Sequence, residues 1–175
     1  MPRKGSRWRR SEAGPGSTAT DAWAPPVAVL PGPASLRRHL DPFLGIDPIA
    51  RQLHLVWAAD RNPSTIAIHT ATRSVDDAFE PVFSSVTRVD LGGDGNDSGP
   101  SLDVSLSILV FTSTRGASTG LWYATRADPE SAFGTATAVP ELVPGDDRDA
   151  FLAPDGCRLW LVGGEGELYR ADVVR

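Results

Sequence analysis

Cysteine, methionine and lysine each occur once in the 175 residues, as Cys157, Met1 and Lys4. A lone cysteine excludes an intrachain disulfide and any zinc site built on paired cysteines. Histidine is scarce too. His39, His54 and His69 are spaced too widely for a metal-ligand set within one element, and His69 is read as a planar ring packed between repeats. No apolar run approaches the ~18 residues of a membrane-spanning helix, so none is expected. Apolar residues at a spacing of three to four are missing throughout, which argues against helices. The basic N-terminus also lacks what a secretory signal requires. Arg3, Lys4, Arg7, Arg9 and Arg10 lead into polar, Gly/Pro-rich Ser11 to Asp21, where a signal has roughly 7–15 apolar residues. As written, the chain reads as cytoplasmic, or as periplasmic or secreted where an upstream signal precedes it.

What is present points to a turn-rich globular domain. Hydrophobic residues make up 41% and charged residues 22%, enough to form one real core. Glycine at 17 and proline at 15 supply many turns. The formal net charge is −5, and the first ten residues carry +5, so the remainder carries −10. An acidic body does not offer phosphates a basic face, so no nucleic-acid partner is expected. Residues 1–20 cannot bury enough surface to offset their ordering entropy. They read as a disordered basic, Gly/Ser/Pro-rich tail ahead of a repeat domain over 21–175.

That domain repeats itself. Ala22-Trp23, Ala78-Phe79 and Ala132-Phe133 lie 56 and 54 residues apart. Each precedes an extended Pro/Val/Thr-rich run: Pro25 to Leu30, Pro81 to Leu91, Thr135 to Leu142. Each run enters a Gly/Asp/Pro loop and then an apolar segment: Asp41-Pro-Phe-Leu, Gly99-Pro-Ser-Leu, Asp149-Ala-Phe-Leu. Second strands follow at Leu53 to Trp57, Ile108 to Phe111 and Leu159 to Val162. Third strands follow at Ile68 to Arg73, Leu121 to Arg126 and Leu168 to Ala171. The expectation is an all-β chain of about three four-stranded antiparallel repeats over 41–91, 97–142 and 149–174, with an N-terminal outer strand at 24–30. Such units bury both faces only by stacking. One expected packing column is Leu53, Leu109 and Leu159; the next is His54, Val110 and Trp160.

Phe111-Thr-Ser-Thr-Arg115, Leu121-Trp-Tyr-Ala-Thr-Arg126 and Ala153-Pro-Asp-Gly156 resemble the TolB-type, WD40-like β-propeller repeat of bacteria. The likeness covers about Asp21 to Val173. It departs at Trp57-Ala-Ala-Asp-Arg61 and at Asp103-Val104, which lacks the Pro-Asp-Gly turn. The resemblance implies propeller blades and a non-catalytic module that binds a protein or peptide, with no cofactor and no catalytic residues to carry over. Propellers have about 4–8 blades, so three repeats imply a partial propeller. Either a homodimer completes a six-bladed ring or the chain is a fragment of a longer propeller.

Candidate chemistry follows from the loops. In a propeller the loops between blades share a face with those joining second and third strands. That gathers Asp41, Arg61, Asp94, Asp97, Arg115, Asp146, Asp147 and Asp149 into a ligand- or partner-binding rim. Asp94, Asn96 and Ser98 resemble half of a calcium loop, but Ser105 stands where the twelfth-position carboxylate belongs. Ser118, between Gly116 and Gly120, matches a nucleophile elbow in spelling only, because a strand follows it rather than a helix. A second functional class stays open: a carbohydrate-active propeller enzyme using two of Asp41, Asp97 and Asp149. It requires two carboxylates roughly 5–10 Å apart in one pocket.

Overall fold

The computed structural model describes residues 38–62, 65–76, 82–116, 119–140, 148–163 and 166–172. Outside them lie the tail, the strand expected at 24–30, Ser118, Asp146 and Asp147; the side chain of Arg61 is also not described. Among the described residues there is no helix. Within the described residues eleven strands form three antiparallel sheets, each a simple meander in chain order.

The first sheet comprises β1 (Arg38–Asp47), β2 (Gln52–Asn62), β3 (Thr65–Ser74) and β4 (Ser84–Arg88). The second comprises β5 (Asp97–Leu102), β6 (Ile108–Ser113), β7 (Gly120–Thr125) and the two-residue β8 (Thr137–Ala138). The third comprises β9 (Arg148–Leu152), β10 (Arg158–Val162) and β11 (Leu168–Asp172). β5 packs against both β1 and β9, so the first strands of the three sheets lie side by side.

Sheet faces meet in two apolar layers. Val56 and Ile68 of the first sheet pack with Leu102, Leu109 and Phe111 of the second. Val110 and Leu121 on the second sheet's other face pack with Leu152, Leu159 and Leu161 of the third. A third cluster, with Leu55, Trp57 and Phe83, covers the opposite face of the first sheet. The burial patterns follow from this stacking. Leu109 through Ser113 of β6 are buried without interruption, as a strand covered on both faces requires. β10 alternates, with Leu159 and Leu161 buried and Trp160 37% exposed.

The register revises one expected column. Leu109 pairs with Leu102 and Ala124, and Leu159 pairs with Leu152 and Ala171. In the first sheet the residue so placed, between Leu44 and Ala71, is Leu55 rather than Leu53. The column therefore runs Leu55, Leu109, Leu159, and its neighbour runs Val56, Val110, Trp160. The β1–β2 hairpin is longer than its two counterparts, which shifts the apparent sequence match by two residues. His54 lies in that extension opposite Gly45 and is buried. His69 packs within its own sheet, its ring stacked at 5.8 Å on that of Trp57, its cross-strand partner.

Candidate functional site

The apolar segments Asp41-Pro-Phe-Leu, Gly99-Pro-Ser-Leu and Asp149-Ala-Phe-Leu lie in the first strands of the three sheets, each carrying a bulge at the same place. Asp41 and Pro42 together oppose Trp57, Gly99 and Pro100 oppose Phe111, and Asp149 and Ala150 oppose Leu161. The first residue of each bulge is left-handed, with φ of 50° at Asp41, 56° at Gly99 and 48° at Asp149. This two-against-one arrangement defines a β-bulge, and glycine and aspartate are among the residues that enter the left-handed region most readily. The second residue loses its ladder amide, so proline at 42 and 100 costs the sheet nothing there.

The three bulges converge on one cavity of about 260 Å³, lined by Asp41, Pro42, Phe43, by Gly99, Pro100, Ser101 and by Asp149, Ala150, Phe151. Nine residues from three corresponding positions form it. Side chains tie the sheets together around it. Asp41 Oδ2 accepts the Gly99 amide at 3.3 Å, Thr112 Oγ1 accepts the Asp149 amide at 3.0 Å, and buried Ser101 Oγ accepts the Leu152 amide at 3.0 Å. Gly99 stands between the two carboxylates: a Cβ on it would lie 3.4 Å from Asp149 Oδ1. Asp41 Oδ2 and Asp149 Oδ1 are therefore no more than about 9 Å apart. Both aspartates are exposed. The rings of Phe43 and Phe151 meet in a tilted contact at the cavity wall, centroids 6.3 Å apart and planes at 44°, and Phe151 is 46% exposed.

Two other expected rim residues sit elsewhere. Asp97 and Arg115 form a buried ion pair, 2.7 Å long, with side chains 6% and 7% exposed. Every arm of the Arg115 guanidinium is occupied. Nη1 donates to the Leu91 and Gly92 carbonyls at 2.9 and 2.6 Å, Nε to Ser113 Oγ at 3.0 Å, and Nη2 to Asp97. The group also lies over the Phe111 and Trp122 rings at 5.3 and 5.4 Å. This pair locks the chain entering the second sheet onto the β6–β7 hairpin, with all three guanidinium nitrogens engaged within the fold. Asp94 is exposed on that entering segment.

The residues read as a half calcium loop are likewise engaged in the fold. Asn96 Oδ1 accepts the Ile66 amide at 2.8 Å, joining the first and second sheets. Ser98 belongs to β5, opposite Thr112. Among the described residues no group of three or more His, Cys, Asp and Glu side chains could hold a metal ion.

At the other end of the second sheet lies a polar cluster that the sequence did not announce. Arg126 Nε donates to the Leu106 carbonyl at 2.7 Å, and its guanidinium covers the Phe133 ring at 4.4 Å. His54 is nearby: burial, reinforced by the positive charge of Arg126, holds its imidazole below the usual histidine range.

The aromatic pair beside the carboxylates carries the weakest signal in the sequence. Its signal is the third residue of each apolar segment, Phe43, Ser101 and Phe151, which only the bulge turns toward a common cavity. A scan against protein-family models and a search of curated proteins each returned no match.

Proposed function

We propose that this chain is a non-catalytic, TolB-type β-propeller module that binds a protein or peptide where its innermost strands converge. One observation carries the reading: equivalent bulge residues of three repeats line a single exposed cavity. Three consecutive antiparallel meanders, stacked face to face with their first strands adjacent, support the blade interpretation. A direct test is selection of random displayed peptides on the full chain. The expected result is enrichment of sequences whose binding is lost in Phe151→Ala, a change at an exposed side chain. No enrichment at all would reject the binding role.

A carbohydrate-active enzyme is the second reading, favoured by Asp41 and Asp149 lining one cavity with carboxylate oxygens no more than about 9 Å apart, below the upper limit for such pairs, and by the rings beside them. Asp97 drops out of that set through its ion pair. A general acid also needs an apolar or closely like-charged setting, and both remaining carboxylates are exposed, so binding is preferred. Hydrolysis in a glycosidase panel that disappears in Asp149→Asn would reverse the preference.

For the assembly, the proposal is a second copy completing the ring. Leu44 and Ile46 on the first sheet are 53% and 54% exposed, and Trp160 and Leu168 on the third are 37% and 68% exposed. At the internal junctions the corresponding Leu102, Leu152 and Val110 are buried. Sedimentation velocity showing only a folded monomer would contradict this arrangement. Among the described residues no helix is long and apolar enough to cross a membrane.

A further inference from the structure

We infer that the cavity between the three bulges takes a basic side chain of a peptide partner, arginine above lysine, which rests on the binding role proposed above. The lining combines two carboxylates with a mainly apolar wall of Pro42, Pro100, Ala150 and two phenyl rings. An anion is repelled by Asp41 and Asp149. A hard divalent cation needs six or more oxygen ligands, and here Ser101 Oγ already accepts the Leu152 amide while prolines and rings supply none. What fits is an amphipathic cation, with an apolar stem along the rings and a charged tip at the carboxylates. The planar guanidinium adds stacking and forked donation that a lysine ammonium lacks.

The protein itself contains a worked instance of this chemistry. Arg115 stacks over Phe111 and Trp122 and donates to Asp97. The cavity presents the corresponding set to another molecule: Phe43 and Phe151 as the rings, Asp41 and Asp149 as the carboxylates. The excess of acidic residues beyond the first ten residues of the chain favours the approach of a cation as well.

The test is calorimetric titration of the full chain with acetyl-Gly-Arg-Gly-amide and with the same peptide carrying citrulline, the neutral isostere. The arginine peptide is expected to bind about tenfold or more tightly than its citrulline counterpart, with affinity falling as salt rises. The Asp41→Asn/Asp149→Asn double variant should erase that preference. Asparagine keeps both the left-handed backbone and the acceptor for the Gly99 amide, and an unchanged thermal midpoint confirms the fold. Equal binding of the two peptides, binding of neither, or an undiminished preference in the double variant overturns the inference. The binding role is judged separately: displayed peptides that lack a basic residue yet depend on Phe151 would leave it standing while this inference falls.

Discussion

Two Asp-rich regions of the second sheet's surroundings look alike in sequence and differ in the fold. Around Asp97 and Arg115, carboxylate and guanidinium are buried and paired through Asp97 Oδ2, and the guanidinium lies over the Phe111 and Trp122 rings. Around Gly99, two carboxylates and two rings from neighbouring sheets face an open cavity. The difference arises from one chain property. In the first region the cation is part of the chain; in the second, no arginine or lysine belongs to the cavity lining. The same chemistry is thus consumed by folding in one place and displayed in the other.

The largest expected effect lies at the buried pair. Asp97→Ala leaves the Arg115 charge enclosed without its partner, so unfolding by urea should show a loss of about 3–5 kcal/mol. A loss below ~1 kcal/mol would mean that the pair is solvated and belongs with the exposed surface.

Gly99→Ala tests the equivalence of the three bulges. The added Cβ meets only an ordinary contact with Asp149, so the cost is that of a left-handed alanine, roughly 1–2 kcal/mol. Gly99→Asn, which copies the Asx character of the other two bulges, should retain more stability than Gly99→Ala in the same melt. The reverse order would mean that the bulges are not interchangeable.

His54 provides a pH-dependent comparison from the opposite end of the sheet. Its folded value lies below the unfolded one, which is about 6.5. The unfolded chain therefore binds a proton that the folded chain resists, and stability falls as pH drops through about 6.5 toward the lower folded value. Denaturant midpoints measured across that window should decline for the native chain, with His54→Leu declining less. Equal slopes would remove His54 as the cause. The smallest effect belongs to the cavity: Asp41→Asn and Asp149→Asn should each change stability by less than about 0.5 kcal/mol, the range of exposed substitutions.

Much of the architecture was legible in the sequence. Strand order, three antiparallel units and the apolar second strands followed from repetition and alternation, and Leu109 and Leu159 fall where the repeat put them. Leu53 did not, because extra residues in the first hairpin displace the match by two positions. The site was legible in composition but not in placement. The sequence marks Asp41 and Asp149 as loop carboxylates, whereas bulges set by backbone pairing place them at one cavity with Phe43 and Phe151. The propeller resemblance places Arg115 on the rim, because loops joining second and third strands share a face with those between blades. The burial of Arg115 depends on Phe111, Trp122 and Asp97 meeting across strands, which spacing along the chain does not reveal.

The most direct test of this division is an amide chemical-shift titration of the full chain with acetyl-Gly-Arg-Gly-amide. The largest movements are expected at Gly99, Asp149 and Phe151, with the amides of Asp97 and Arg115 nearly still. Movements centred on Asp97 and Arg115, or none near Gly99, would contradict this division.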